Sequence, residues 1–313
     1  MRAVTIVDRG LVIADHPDPV PRPGELLVRV RAAGVNSADL MQVRGHYPAP
    51  PGVPADIPGM ELAGEVVATG GGVERYRPGD RVMALVGGGA QAELAIAPEV
   101  VTMPFPGGLE WAAAGGFPEA FVTAHDALVS QSGLRSGDRP LVHGAAGGVG
   151  TAAVQIGVAL GARVTATVRN PGLRERVAQL GAEVIAPEAT AGAGPFDVIL
   201  ELVGAVNFPA NLEALATGGR ISIIGIAAGA QIQLDLGRLM MRRGRIVGST
   251  LRSRPLAEKA AAVRRVEADL LALVGERRLT VPIEARFDLN AAGDAYARFK
   301  AGAKFGKIVL TVA

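Results

Sequence analysis

The chain has 313 residues, about two ordinary domains in length, and it contains no cysteine. The missing cysteines exclude disulfide bonds, iron–sulfur clusters and zinc sites built from thiolates. With 32 Lys and Arg against 30 Asp and Glu the formal charge is only +2, and no basic block with interleaved aromatics points to nucleic acid. The most apolar stretch, 221–230, is shorter than the roughly 20 residues of a membrane helix and is interrupted by glycine. We therefore expect a soluble, cytoplasmic protein without a nucleic-acid or membrane partner.

The first third of the chain is dense in proline and glycine and has little helical periodicity. Short apolar runs between turn signals predict strands at Leu26–Ala32, Glu65–Ala68 and Arg81–Leu85. Five prolines between Pro48 and Pro58 predict an extended surface loop. This part of the sequence therefore predicts a small β-rich domain.

From about Phe117 onwards, strand-like and helix-like runs alternate along the chain. The predicted strands are Pro140–His143, Ala162–Val168, Glu183–Ala186, Phe196–Leu202, Arg220–Gly225 and Arg245–Ser249, with a closing strand at Lys307–Val312. The predicted helices are Gly150–Leu160, Leu173–Leu180 and Phe208–Ala216, followed by a charged helix at Pro255–Leu273. Such alternation indicates βαβ units around a parallel sheet. We therefore expect an α/β fold in which a doubly wound domain interrupts the β-rich domain, and the C-terminal segment returns to the latter.

The strongest local signal is a glycine-rich turn between a predicted strand and a predicted helix. An apolar strand ending at Val142 runs into Gly144, Gly147, Gly148 and Gly150. Glycines at such a turn let backbone N–H groups approach a pyrophosphate, and the helix N-terminus adds partial positive charge. The spacing departs from a strict G-x-G-x-x-G, and a purely structural turn is the alternative interpretation. Within a βαβ unit we interpret the segment as a dinucleotide-binding loop.

The next predicted strand indicates which dinucleotide binds. NAD-specific sites offer Asp or Glu about 20 residues after the glycine loop, where the carboxylate bonds the ribose hydroxyls. Here the strand ends in Arg169 and Asn170, and the first carboxylate after it is Glu175. A guanidinium at this position suits a 2′-phosphate, and Arg174 can assist it. The sequence therefore predicts NADPH as the cofactor.

Further motifs run nearly from one end of the chain to the other. They are Ala33–Gln42, Pro58–Gly64, Gly87–Ala92, Pro118–Ala124, Ser249–Arg254 and Gly306–Leu310, together with the glycine loop. In these segments the chain resembles the medium-chain dehydrogenase/reductase family, in its zinc-free quinone oxidoreductase (zeta-crystallin-like) branch. The resemblance implies a chaperonin-10 (GroES)-like catalytic domain in residues 1–118 and 252–313, and a Rossmann domain in residues 119–251. It also implies a homodimer paired through the edge of the Rossmann sheet.

The resemblance also implies the site residues. Tyr47 is the expected proton donor, and Asn36, at a position where metal-containing relatives carry a zinc ligand, is expected to face the nicotinamide or the substrate. The expected cofactor contacts are Thr123, Ala146, Gly147, Gly148, Val149, Arg169, Asn170, Arg174, Val203, Gly204, Gly225, Ile226 and Lys304. A lysine that holds the 2′-phosphate in relatives corresponds to Gly172 here, so Arg169 has to compensate for its loss.

The residues at the expected zinc position do not suit a metal. Asn36 and Met60 are poor zinc ligands beside Glu61, and the four histidines are scattered without ligand spacing. Without a Lewis acid, the expected substrates are electrophiles that delocalise the incoming charge, either quinones or activated alkenes such as enones. We predict a metal-free NADPH-dependent quinone reductase. An enone or enoyl reductase and a non-catalytic NADPH-binding protein are the alternatives.

Overall fold

A computed structural model describes all 313 residues of the chain. They form two compact units, which are described separately. The first unit comprises Met1–Val122, Leu251–Gly302 and Lys307–Ala313, and the second comprises Thr123–Thr250 with Ala303–Gly306. Residues 303–306, expected in the return segment, group with the second unit because Gly306 N donates a hydrogen bond of 2.8 Å to Ala146 O.

The chain contains fifteen strands. In chain order they are β1 (Arg2–Val7), β2 (Gly10–Asp15), β3 (Glu25–Val35), β4 (Glu61–Thr69), β5 (Arg81–Leu85), β6 (Leu94–Pro98), β7 (Thr102–Pro104), β8 (Pro140–Val142), β9 (Thr165–Thr167), β10 (Glu183–Ile185), β11 (Phe196–Glu201), β12 (Leu215–Ile223), β13 (Arg245–Gly248), β14 (Ile283–Asp288) and β15 (Lys307–Thr311).

Ten α-helices accompany them. They are α1 (Ser37–Val43), α2 (Trp111–Gly115), α3 (Pro118–His125), α4 (Gly148–Ala159), α5 (Arg174–Ala178), α6 (Thr190–Ala193), α7 (Phe208–Ala214), α8 (Leu236–Arg242), α9 (Leu256–Gly275) and α10 (Ala292–Lys300). None of them combines the length and the apolar composition needed to cross a lipid bilayer.

The first unit is built on a seven-stranded sheet. Its strand order is β14-β15-β3-β4-β5-β7, with β6 also paired to β3, and β1 and β2 form a separate antiparallel hairpin. All of the pairings in the larger sheet are antiparallel except that of β14 with β15. The β-rich first domain and the closing strand are therefore confirmed. The sequence did not predict the short helix α1, which directly follows β3.

The second unit is a six-stranded, all-parallel sheet in the order β10-β9-β8-β11-β12-β13. Counted from β8, this is the order 3-2-1-4-5-6 of the Rossmann fold. Parallel sheets are covered on both faces, so their strands are continuous apolar runs. In agreement, Val198, Ile199 and Leu200 of β11 are fully buried. The strand order reverses between β8 and β11, and ligands of such sheets bind at the carboxyl ends of the strands beside this switch point.

Candidate functional site

The carboxyl end of β8 and the start of α4 form a cradle suited to an anion. Gly144 takes the left-handed backbone conformation (φ +61°) and its carbonyl accepts the N–H of Gly147 at 3.0 Å. Helix α4 begins at the next residue and has no acidic side chain in its first turn. A side chain at Gly147 would place its Cβ 3.9 Å from Lys304 Nζ, so an ammonium lies beside the turn. Free helix N–H groups, the positive end of the helix dipole and a lysine together fit a diphosphate.

The end of β9 supplies the groups predicted to meet the adenosine ribose. Arg169 and Asn170 are exposed immediately after the strand, and Asn170 Oδ1 accepts the N–H of Gly172 at 3.0 Å. Arg174 Nε donates to Val168 O at 3.1 Å, which holds that guanidinium beside the end of the strand. Two guanidinium groups, and no Asp or Glu between Val168 and Arg174, therefore mark this edge of the sheet.

A buried polar network that the sequence analysis missed lies beneath these loops. Glu201 Oε2 accepts a hydrogen bond of 2.7 Å from Asn211 Nδ2, and Asn211 Oδ1 lies 2.6 Å from His143 Nε2. The other ring nitrogen of His143 lies 2.9 Å from Thr167 Oγ1. Burial lowers the pKa of His143, so the ring is neutral and bonds to both neighbours. The network links the carboxyl ends of β8, β9 and β11, and it holds the edge of the sheet at which the nucleotide would bind.

Glu201 also fixes the loop after β11. Its Oε1 accepts the backbone N–H groups of Val203 (2.7 Å) and Gly204 (2.8 Å). The backbone N–H groups of these two predicted cofactor contacts are therefore already used by Glu201. A ligand can contact only the remaining atoms of the two residues. A Cβ on Gly225 would lie 2.2 Å from Leu202 O, so glycine is required there, and the adjacent Ile226 is 56% exposed. Of the other predicted contacts, Val149 is the second residue of α4 and Thr123 is a buried residue of α3.

In the first unit, a buried ion pair occupies the position discussed above for zinc. Lys307 Nζ lies 2.5 Å from Glu61 Oε1, and both side chains are almost completely inaccessible. Asn36 contacts both, because its Nδ2 donates to Glu61 Oε1 at 2.9 Å and its Oδ1 accepts from Lys307 Nζ at 2.6 Å. The other carboxylate oxygen of Glu61 accepts the backbone N–H of Glu119 at 2.9 Å. Glu61 therefore connects Lys307, Asn36 and the backbone of α3. Lys307 was not identified as a site residue from the sequence.

Two further carboxyl groups lie close to this pair. Asp39 is fully buried and accepts the backbone N–H groups of Asn36 (2.8 Å) and Gly59 (3.1 Å), yet burial raises its pKa to about 6. Burial, together with the negative charge of Glu61, raises the pKa of Glu119 to about 7. The positive charges of Lys307 and Arg252 act against these increases in pKa, but burial outweighs them at both carboxyl groups.

The predicted proton donor Tyr47 is held by an arginine from a distant part of the sequence. Arg252, only 6% exposed, donates to Tyr47 O (3.3 Å), Gly87 O (2.7 Å) and Gln42 Oε1 (2.6 Å). Its guanidinium carbon lies 5.3 Å from the centroid of the Tyr47 ring, which is within the range of a cation–π contact. Tyr47 itself is half-buried. Asn36 and Tyr47 are thus positioned by separate sets of partners.

No group of three or more His, Cys, Asp or Glu side chains in the structure could hold a metal ion. At the position discussed for zinc, the positive charge is an ammonium, and the neighbouring Asn36 Oδ1 accepts a hydrogen bond from it. This donor set does not suit Zn²⁺, which prefers three or four N, S or O ligands in tetrahedral geometry.

The acidic cluster leads to a pH-dependent prediction. Folding raises the pKa of such a buried carboxyl group, so the folded chain binds its proton more tightly than the unfolded chain does. Below the pKa of the unfolded chain this preference stabilises the fold in full. The stabilisation is lost as the pH rises through the pKa of the folded chain. For Glu119 this window runs from about pH 4.5 to about pH 7. We therefore expect Glu119→Gln to raise stability at pH 8, by up to about 3 kcal/mol because each pKa unit corresponds to about 1.4 kcal/mol, with much less effect at pH 5.

Differential scanning calorimetry at the two pH values measures this effect. The exposed residue Glu188 provides the matched control, and Glu188→Gln should shift the melting temperature equally at both. A Glu119→Gln variant that is no more stable than the wild type at pH 8 would contradict the assignment.

Family models match both parts of the chain. The model described as alcohol dehydrogenase GroES-like domain matches residues 22–133, and that described as zinc-binding dehydrogenase matches residues 148–268. The quinone oxidoreductase of Homo sapiens is 31% identical over 269 residues, covering 80% of each chain. Polyketide synthase GfsB of Streptomyces halstedii is 35% identical over 297 residues, but that match spans 92% of this chain and only 5% of the synthase.

Solved structures agree with these matches over the whole chain. A mycobacterial protein in complex with NADPH superimposes with a TM-score of 0.88 at 28% identity, covering 99% of this chain and all of the other. An NAD-dependent alcohol dehydrogenase superimposes with a TM-score of 0.87 at 31% identity and complete coverage of both chains. The fold, the glycine cradle at the switch point and these matches together establish that the chain belongs to the medium-chain dehydrogenase/reductase family of nicotinamide-dependent oxidoreductases, in its quinone oxidoreductase-like branch.

Proposed function

We propose that this protein is an NADPH-dependent, zinc-independent reductase that transfers hydride to a quinone. The main support is the segment after β9, which contains Arg169 and Arg174. It lacks the carboxylate that is typical of NAD sites. The human relative named a quinone oxidoreductase and the mycobacterial NADPH complex support the same assignment.

Separate groups of residues have distinct roles in the proposed reaction. The cofactor supplies the hydride, and the cradle of α4 with Lys304 binds its diphosphate. In the first unit, Asn36 presents an amide N–H that can stabilise negative charge developing on a substrate oxygen, and Tyr47 holds a phenolic proton that can be passed to the product. Because Lys307 and Glu61 are committed to each other, they orient Asn36 and do not themselves transfer protons.

An activated alkene is the second candidate substrate. It is favoured by the similarity to segments of polyketide synthases, GfsB and the spectinabilin synthase protein NorB of Streptomyces orinoci, at 35% and 34% identity. Quinone and enone would draw on the same residues, since in both the oxygen of the acceptor becomes negative as hydride arrives. The ratio of kcat/KM for a panel of quinones and 2-enones decides between them. A higher value for every enone than for any quinone would overturn the quinone assignment.

The cofactor preference can be tested at Arg169. A charge-assisted hydrogen bond contributes about 1.5–3 kcal/mol, which is about ten- to a hundredfold in affinity. We therefore expect the wild type to bind NADPH at least tenfold more tightly than NADH, and Arg169→Ala to remove most of that difference. Titration calorimetry with both nucleotides measures the four dissociation constants. Arg163 is exposed just before β9, and Arg163→Ala is the control that should leave the ratio unchanged. Equal affinities in the wild type would refute the preference.

We also propose that the protein is a homodimer paired along β13. This strand ends the parallel sheet, so its outer edge has no partner within the chain. The preceding helix α8 exposes Leu236 (69%), Met240 (74%) and Met241 (76%), an apolar surface that is unusual for a monomer. Light scattering should give twice the 32.0 kDa mass of the chain, and Met240→Glu with Met241→Glu should return the mass to one chain. A monomeric wild type would contradict the proposal.

A further inference from the structure

The side chain of Asn36 is partly exposed and forms hydrogen bonds with two charged neighbours, Glu61 and Lys307. We propose that Lys307 is a positioning residue, which together with Glu61 fixes the amide of Asn36 so that it offers a substrate an N–H donor and not a carbonyl acceptor. This inference rests on the proposed function and deepens it, because it specifies the chemistry of the group that the site recognises.

The two ends of the amide have different partners. Oδ1 accepts from the Lys307 ammonium at 2.6 Å, whereas Nδ2 donates to Glu61 Oε1 at 2.9 Å. Rotating the amide by half a turn would place its NH₂ against the ammonium and its oxygen against the carboxylate. Two charge-assisted hydrogen bonds would then become two repulsive contacts within a buried environment, where electrostatic interactions are strong. The flipped orientation is therefore excluded while both charges are present.

The surrounding backbone is built to accommodate this ion pair. A Cβ on Gly34 would lie 2.1 Å from Glu61 Oε1, and one on Gly116 would lie 3.2 Å from Lys307 Cγ. The backbone N–H of Asn36 is itself tied to Asp39 Oδ2 at 2.8 Å. The backbone and both ends of the Asn36 side chain are thus held at once, while neighbouring positions leave room for the two charged side chains.

This arrangement has a consequence for the substrate. The amide nitrogen carries two hydrogens, and one of them is used by Glu61. The second N–H is not used by Glu61, so in the proposal it is the group that Asn36 offers to a substrate, and the ammonium bound to the same amide increases its polarity. It matches an oxygen that gains negative charge as hydride is delivered, such as a quinone or enone oxygen. Lys307 therefore contributes its charge through Asn36, without touching the substrate.

The test uses Lys307→Met in the full-length chain, with Lys307→Arg and Lys300→Met as companions. Lys300 is an exposed lysine at the end of α10, and its replacement should change nothing. Loss of a single oxyanion donor costs about 10²–10³ in kcat; loosening that donor should cost less, so we expect Lys307→Met to lower kcat about tenfold. The dissociation constant of NADPH should stay unchanged, and Lys307→Arg should restore most of the rate.

Lys307→Met alone leaves Glu61 as an unpaired buried charge and can fail to fold for that reason. In that case the neutral double variant, Lys307→Met with Glu61→Gln, is used, and its kcat should fall by the same factor.

A second readout does not depend on activity. In protein labelled with ¹⁵N at asparagine, the side-chain NH₂ signal of Asn36 is assigned by its absence in Asn36→Ala. It should shift in Lys307→Met and remain near its original position in Lys307→Arg. An unchanged kcat together with an unchanged amide signal in the methionine variants would overturn the proposal. If the wild type reduces neither quinones nor enones, the proposed function fails, and the amide signal alone then decides whether Lys307 positions Asn36.

Discussion

Replacing Gly150 with alanine should weaken NADPH binding by on the order of tenfold to a hundredfold and lower the melting temperature of the protein by several degrees. Gly150 is the third residue of α4, and an added Cβ would lie 2.4 Å from Gly144 O and 2.6 Å from the Cα of Ala145. Both of these neighbours are backbone atoms of the cradle, so the start of the helix would have to move away from it. Overpacking of this kind costs about 1–3 kcal/mol in stability, and it also displaces the N–H groups that would bind the diphosphate.

The matched control is Gly192→Ala. Gly192 also lies in a helix of the second unit, but an added Cβ there would have no neighbour within 4 Å. This substitution should leave nucleotide affinity unchanged and leave the melting temperature unchanged or slightly higher, because alanine favours helix more than glycine does. Calorimetric titration and thermal unfolding of both variants provide the comparison. NADPH binding by Gly150→Ala within threefold of the wild type would show that the cradle is not the diphosphate site.

Tyr47→Phe should lower kcat about a hundredfold, at the lower end of the 10²–10⁴ range of general acid catalysis. The substitution removes the phenolic hydroxyl but preserves the ring that lies against the Arg252 guanidinium. The loop of residues 44–47 should therefore keep its place, and the dissociation constant for NADPH should not change. The loss should be greater with enones than with quinones, because the enolate formed from an enone must take its proton on carbon, whereas the oxygen of a hydroquinone anion can take its proton from water.

His46→Ala is the neighbouring control for this experiment. His46 is exposed, and its replacement should leave kcat within about twofold, because exposed side chains away from a site have small effects. Steady-state kinetics with one quinone and one enone measures the three proteins side by side. If Tyr47→Phe and His46→Ala are equally active, Tyr47 is not the proton donor.

The fold was predictable from the sequence largely because the parallel sheet is built from continuous apolar runs. The runs at 140–143 and 196–202 correspond to β8 (Pro140–Val142) and β11 (Phe196–Glu201), and the glycines between β8 and α4 were recognisable from their spacing. Short elements were harder to detect. The hairpin strand β2 and helix α10 have no distinctive pattern, because their conformation depends on packing against the rest of the first unit.

The candidate site was predictable only where it is local in sequence. The glycine loop and the arginine after β9 belong to single segments, so their spacing carried the signal. The cluster of Asn36, Glu61 and Lys307 joins residues separated by 25 and 246 positions, and only the folded sheet brings them together. Lys307 begins an apolar strand and Glu201 ends one. A charge at the end of a buried strand is the one sequence feature that could have indicated either residue.

Single-turnover oxidation of NADPH tests the central claim most directly. The purified protein, loaded with NADPH or with NADPH deuterated at the transferred position of the nicotinamide, is mixed in a stopped-flow instrument with a quinone and then with a 2-enone. We expect rapid loss of nicotinamide absorbance with the quinone, and a slower rate with the deuterated cofactor because the C–H bond breaks in that step. Tight binding of NADPH without oxidation by any acceptor would contradict the account and identify a nucleotide-binding protein instead.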